Sequence, residues 1–346
     1  MKSKKLNFYI IIGIIILLIS MFLALNIGVY DFGNSSAFQV LWKFISGDSA
    51  LSLSEKYIIR DVRASRIVLS VLVGSMLAVS GTSLQGMFKN PLATGDLIGL
   101  TSGATLLAAI AIVLGHTFQE FLPEWIRISL VSISAFIGAL LAMILVYRIS
   151  TSGGQTNVVM MLLAGVAITA IGFAVTGLLI YISKDDQLRD LTFWNLGSLA
   201  GATWTKNGIL FLVLLISYFI LLPKGKALNA MMLGEKDAQH IGIDVEKLKK
   251  QIIILTALMV GSCVAFSGTI GFVGLIIPYI LRQIFRSDYH FILPLSAISG
   301  SILLLIADTI SRTIVAPSEL PIGILTGLMG APVFIAILLK FKNNLR

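Results

Sequence analysis

The chain has 346 residues, of which 57% are apolar and only 12% charged, well below the roughly one quarter charged that is usual in soluble domains. Uncharged runs such as Phe8 to Val29 and Ile128 to Tyr147 are close to the roughly 20 residues that cross a bilayer core, so a soluble domain is excluded. The single cysteine, Cys263, rules out an internal disulfide, and the net charge of +9 is a topology signal, not a nucleic-acid footprint.

From the N-terminus, Lys2, Lys4 and Lys5 precede an apolar run over 7–29. That run is too long for the apolar core of a signal peptide, so a retained first span is predicted. The stretch from Tyr30 to Ala64 follows, with Phe38, Leu41, Trp42 and Ile45 at helical spacing. Its residues fit either a short helix at the membrane surface or a loop packed on the spans. Further spans are predicted at 65–87, 96–115, 127–147, 157–182, 205–222, 252–270, 272–286, 292–312 and 321–340. Pro278 inside the eighth predicts a kink. The expected fold class is therefore an all-α integral membrane protein of ten transmembrane helices, forming one domain over 1–346.

With the N-terminus inside, sixteen of the 26 basic residues fall on the inner side, opposed there by five acidic ones. This bias fits the positive-inside rule and places both termini in the cytoplasm. Between the sixth and seventh spans lies a polar island, Met231 to Lys250, in otherwise apolar surroundings. Leu228, Met231 and Met232 make one apolar face, Gly234 breaks that helix, and Glu235 to Ile241 form a second. Gly242 suits a left-handed C-terminal cap, and Asp244 suits the cap of the seventh span.

The chain repeats itself. Val73 to Thr82 reads VGSMLAVSGT and Val260 to Thr269 reads VGSCVAFSGT, identical at seven of ten positions with an offset of 187 that also sets Pro91 on Pro278. The copies are five spans apart, so they cross in opposite directions, as in transporters built from inverted repeats. Two five-helix halves are expected, about 1–182 and 192–346. Gly74, Ser75, Ala78 and Gly81 suit close helix packing. The offset also pairs Arg60 with Lys247 and Arg63 with Lys250.

No G-x-x-x-x-G-K-[ST] phosphate loop, HExxH or CxxC occurs, so ATP binding by that loop, a zincin centre and a thiol redox motif are excluded. His116, His240 and His290 fall in separate loops and make no joint metal site. Within spans the carboxylates are Asp96 and Asp308. Asp308 suits pairing with Ser, Thr or backbone groups, with a proton relay as its functional alternative.

The run Arg60 to Ala104, RDVRASRIVLSVLVGSMLAVSGTSLQGMFKNPLATGDLIGLTSGA, resembles the opening of the iron-siderophore, haem and vitamin B12 permeases of ATP-driven (ABC) importers. SGTIGFVGLIIPYILRQIFRSDYHFILPLSAISGSILLLIADTISR and the later ELPIGILTGLMGAPVFIAILLK resemble their C-terminal half, and LGEKDAQHIGI their cytoplasmic coupling segment. The resemblance spans about Tyr57 to Lys340. It implies a multi-pass permease of the bacterial cytoplasmic membrane that carries out no chemistry and binds no cofactor or metal. ATP would be hydrolysed by a partner ATP-binding subunit dimer. Other implied partners are an extracytoplasmic substrate-binding protein, a second permease copy (identical or a close paralogue) and membrane lipid.

By position, the resemblance implies binding-protein docking at Arg60, Arg63 and Arg312. It implies ATPase coupling at Leu228, Met232, Gly234, Glu235, Ala238, Ile241 and Gly242, within 226–250. It sets the inner narrowing of the pathway at Asn157, Val158, Val159 and Met160, where this chain departs from the hydroxyl-rich pattern. The implied function is uptake of an iron chelate (siderophore or haem) by alternating access. A cobalamin permease and an ion-coupled secondary transporter are the alternatives.

Overall fold

The computed structural model describes residues 2–28, 30, 36–47, 51–115 and 123–344. Among these, seven helices are long and apolar enough to cross a membrane, and three shorter apolar helices accompany them. Helix α1 is Lys2–Asn26, with α2 (Ala37–Ile45) and α3 (Leu53–Tyr57) after it. A π-helical turn, Ile58–Ala64, leads into α4 (Ser65–Phe88). Then come α5 (Leu100–Leu114), α6 (Glu124–Ser150), α7 (Val158–Ile182), α8 (Asp185–Leu196) and α9 (Trp204–Leu221). The remaining helices are α10 (Gly225–Leu233), α11 (Glu235–His240), α12 (Val245–Ser267), α13 (Val273–Phe285), α14 (Tyr289–Ser311) and α15 (Ile322–Asn344). The ten predicted spans correspond to α1, α4 to α7, α9 and α12 to α15. His116 lies outside the described residues.

Burial sorts these helices into a centre and a rim. The most apolar window of α4 is 89% buried and that of α12 is 72%, against 22% for α7 and for α9. Lipid tails give helices no hydrophobic drive to associate, so small residues that let backbones approach set the contacts. A Cβ on Gly74 would collide with the carbonyl of Gly300 in α14, and one on Gly81 with that of Gly274 in α13. Ser301 Oγ also donates to the Val71 carbonyl across the α4–α14 seam at 2.8 Å.

Packing follows the internal repeat. Gly74 seats α4 on α14, and its repeat counterpart Gly261 seats α12 on α6 against Ala139. The α5–α6 pair matches α13–α14, and α4–α13 matches α12–α5. The copies part after Ser80 and Ser267: α4 runs on to Phe88, whereas α12 stops and Gly268 turns at φ +66°. Pro91 therefore lies in a loop and Pro278 inside α13.

Several boundaries differ from expectation for physical reasons. Helix α12 starts at Val245, seven residues before the predicted 252, because the Asp244 carboxylate accepts the Lys247 N–H at 3.0 Å and begins the helix within charged sequence. The third span starts at Leu100, after a 3-10 turn over Asp96–Ile98. Helix α8 escaped a search for apolar runs since it opens on Asp185 and Asp186 and buries only Gln187 and Leu191. The surface helix α2 forms as its spacing suggested. Ser36 and Gln39 cap it reciprocally, Leu41 packs inward, and Phe38, Trp42 and Ile45 stay exposed.

Candidate functional site

Two clusters of charge sit at opposite ends of α4 and α12, called outer and inner after the sides the charge bias assigns. At the outer end, the π-helical turn carries Arg60 and Arg63. A π turn holds an extra residue in its loop: the Ser65 N–H reaches the carbonyl of Arg60. Arg60 is exposed, 3.9 Å from Asp61. Arg63 turns inward, donating to the carbonyls of Leu25 at 2.9 Å and Tyr30 at 2.5 Å. Arg312 is buried as well and donates to the Ala24 carbonyl.

Arg63 and Arg312 thus satisfy carbonyls in the last turn of α1, groups that lack intrahelical partners and favour cations. Of the three arginines expected to receive a binding protein, only Arg60 presents its head group to the surroundings. The other two secure α1.

Arg66, one turn further on, was missed from sequence. It binds Asp308 of α14 through Nε and Nη2, at 3.0 and 2.9 Å, and Glu319 through Nη1 at 2.7 Å. The expectation that Asp308 pairs with Ser, Thr or backbone groups is corrected here: its partner is a guanidinium 242 positions away in sequence. A carboxylate this deep requires a charged or multiply hydrogen-bonded partner. An unpaired acid in an apolar span was the one available signal for a buried arginine on a neighbouring helix.

At the inner end, α10 and α11 form the expected pair of short helices, separated by Gly234 at φ +150° and closed by Gly242 at φ +87°. Both conformations favour glycine. Leu228 and Ala238 are fully buried and fasten the pair to the helical core, with Leu228 against Gly86 and Tyr289. Met232 and Ile241 are exposed, as is Leu233, which the sequence reading left out.

Glu235 at the start of α11 accepts from the buried Lys249 Nζ at 2.7 Å. Lys249 also donates to Glu246 at 3.1 Å and to the Thr156 carbonyl at 2.8 Å. Glu246 in turn accepts the Thr156 N–H at 2.9 Å. Both backbone groups of Thr156 are therefore held by α12. Thr156 closes a two-stranded hairpin, Thr151–Ser152 paired with Gln155–Thr156. Its turn residues Gly153 and Gly154 both have positive φ, the geometry a two-residue hairpin favours.

Asn157 is next, and its Oδ1 accepts the N–H groups of Val159 and Met160 to cap α7. A cavity of about 540 Å³ opens here, walled by Asn157, Val158, Met160, Glu235, Glu246 and Lys249 among others. Val159 faces away from it and is exposed. Three of the four residues expected to narrow the pathway thus share a cavity with Glu235 of the coupling segment.

Among the described residues, ten apolar helices form a bundle with a polar helix pair held on one end, the build of a membrane-spanning subunit. Comparison gives its family: residues 16–340 match the FecCD transport family, to which the chain belongs. It is an ABC importer permease. It is 37% identical over 310 residues to the hemin transport system permease protein HmuU of Yersinia pestis, covering 90% of each chain. It is also 37% identical over 281 residues to the cobalamin import system permease protein BtuC of Halobacterium salinarum, covering 81% of this chain and 73% of that one. A solved structure described as a metal-chelate type ABC transporter in an inward-facing conformation superimposes with a TM-score of 0.82 at 30% identity, over 96% of this chain and 99% of the other.

Proposed function

We propose that the chain forms, with a second permease copy, the pathway of an ATP-driven importer for an iron chelate, haem included, working by alternating access. The observation that carries this reading is the link at the inner end. Glu235 on the exposed helix pair, Lys249 on α12 and Thr156 beside the start of α7 are joined by contacts of 2.7 and 2.8 Å. An ATP-binding subunit seated on Met232, Leu233 and Ile241 would move α11, and that movement would reach Asn157 through Lys249. The iron-chelate class is supported by similarity to a hemin permease over nine tenths of the chain and to a metal-chelate transporter structure. Arg60 supplies the exposed cation for an acidic binding protein on the other face.

The test is reconstitution in vesicles with the cognate ATPase and binding protein, comparing uptake of haem, an iron siderophore and cobalamin. ATP-dependent uptake of an iron chelate, lost with Arg60→Glu together with binding-protein association, is expected. Uptake of cobalamin alone would move the chain to the cobalamin permeases, which match it at similar identity. Uptake that persists without an ATPase and falls with Asp308→Asn would identify a secondary transporter.

A further inference from the structure

Among the described residues, the buried cations near the helix ends are held by carboxylates or by helix-end carbonyls of this chain. Arg66 has Asp308 and Glu319, and Lys249 has Glu235 and Glu246. Arg63 and Arg312 cap the carbonyls of α1. Arg282 of α13 differs. Its Nη2 donates to the Gln85 side-chain oxygen, the hydroxyls of Tyr289 and Tyr279 are nearby, and no carboxylate among the described residues pairs with it. A guanidinium drawn out of water toward neutral partners keeps most of its desolvation cost.

Its surroundings add positive charge. Arg282 lines a cavity of about 290 Å³ together with Lys89, Arg286, Gln283, Ser287 and Tyr279. Lys89 closes α4 in the left-handed conformation at φ +51°, and Arg286 closes α13 at φ +56°. Both bring exposed cations to the cavity mouth, neither in an ion pair with a described carboxylate. The nearest acid in sequence, Asp288, is not in the cavity wall; its Oδ1 accepts from Asn229 and from the His290 N–H. Three cations and several hydroxyl and amide donors therefore converge, with no acid among the described residues of the cavity wall.

We propose that Lys89, Arg282 and Arg286 bind a phosphate-type oxyanion, one whose tetrahedral oxygens can take two guanidinium groups and an ammonium together. The cavity lies at the inner ends of α4 and α13, where apolar helix gives way to basic loop. Exposed Ile280 and Ile284 lie on the same helix as Arg282. Basic pockets between spans at this depth suit anionic lipid headgroups, and an inorganic phosphate presents the same chemistry.

The site can be tested on the full-length permease alone, without its partners. Wild type is purified from vesicles of phosphatidylcholine mixed with phosphatidylglycerol, and retained lipid is counted by native mass spectrometry. Its thermal stability is measured in parallel with inorganic phosphate against chloride at equal ionic strength. The lipid form predicts enrichment of phosphatidylglycerol that falls about tenfold in Arg286→Gln and in Lys89→Gln, the loss of one charge-assisted contact. The free-anion form predicts no lipid enrichment but a phosphate-dependent rise in stability that both variants abolish. Lys89 and Arg286 are exposed, so these variants leave the fold intact where Arg282→Gln could disturb it. Equal retention of both lipids with no phosphate response, or variants that bind like wild type, overturns the proposal. Loss of ATPase association in the variants with no effect on lipid or phosphate also overturns it, in favour of an acidic side chain on that partner.

Discussion

The outer and inner clusters share a formula, one buried cation between two carboxylates, yet they are built differently. At the outer end Asp308 is 1% exposed, and Arg66 grips it through two nitrogens of a planar fork. At the inner end Glu235 and Glu246 are 32% and 30% exposed, and the Lys249 ammonium spends its three donors on three acceptors. The fork holds its partner in one geometry, whereas an ammonium can exchange one acceptor and keep the others. Release of Asp308 at the outer end would bare a buried charge; release at the inner end returns a carboxylate to water. The first arrangement fixes α4 to α14. The second would let α11 shift while α12 keeps hold of Thr156.

The largest effect expected from this contrast belongs to Arg66→Met. It strands Asp308 in the interior and should cost about 3–5 kcal/mol, read as a lowered midpoint of thermal or denaturant unfolding in detergent. The double variant Arg66→Met/Asp308→Leu should recover most of the loss, because matched apolar replacement of a buried pair is often neutral. A double variant as unstable as the single one would assign the loss to packing.

Lys249→Met comes next. Its two acids are a third exposed and regain water, so roughly 1.5–3 kcal/mol is expected, the value of a charge-assisted hydrogen bond. Amide exchange over 151–157 should accelerate in the same variant as Thr156 loses its clasp. A cost equal to that of Arg66→Met, with unchanged exchange, would erase the distinction between the two ends.

What the sequence disclosed about these ends follows from the range of each interaction. Gly234, Gly242 and Asp244 act on their own backbone within a few residues, and the two short helices they bound were legible for that reason. The ten spans were legible from apolar length. Asp308 could be recognised as unusual in an apolar helix, but its partner stands 242 positions away and only the α4–α14 seam brings them together.

The repeat correctly linked α4 with α12 but misplaced the charges. It paired Arg63 with Lys250, yet Arg63 is buried under α1 while Lys250 is exposed; the clasp is formed by Lys249, one residue earlier. A one-residue step turns a helical side chain by about 100°, enough to exchange a buried position for a solvated one. Offsets between repeats cannot register that difference once the flanking elements diverge, as they do where a π-helical turn carries Arg63 into α4 while Lys250 lies within the regular α12.

The smallest expected change in stability separates a structural charge from a coupling one. Glu319→Gln and Glu235→Gln each remove the more exposed partner of a buried cation while another carboxylate remains. Exposed pairs contribute roughly 0–1 kcal/mol, so unfolding midpoints should barely move in either variant. Their consequences for transport should diverge. Glu319→Gln leaves Arg66 gripped by Asp308 and should leave the ratio of substrate moved to ATP hydrolysed unchanged. Glu235→Gln replaces the charged contact between α11 and Lys249 by a neutral one, and that ratio should fall although the complex still assembles. Hydrolysis and uptake measured in the same vesicles decide the matter. If both ratios stay at wild type, the inner cluster is a rivet like the outer one, and motion of α11 must reach α7 by another route, with the buried contacts of Leu228 and Ala238 as the remaining connection.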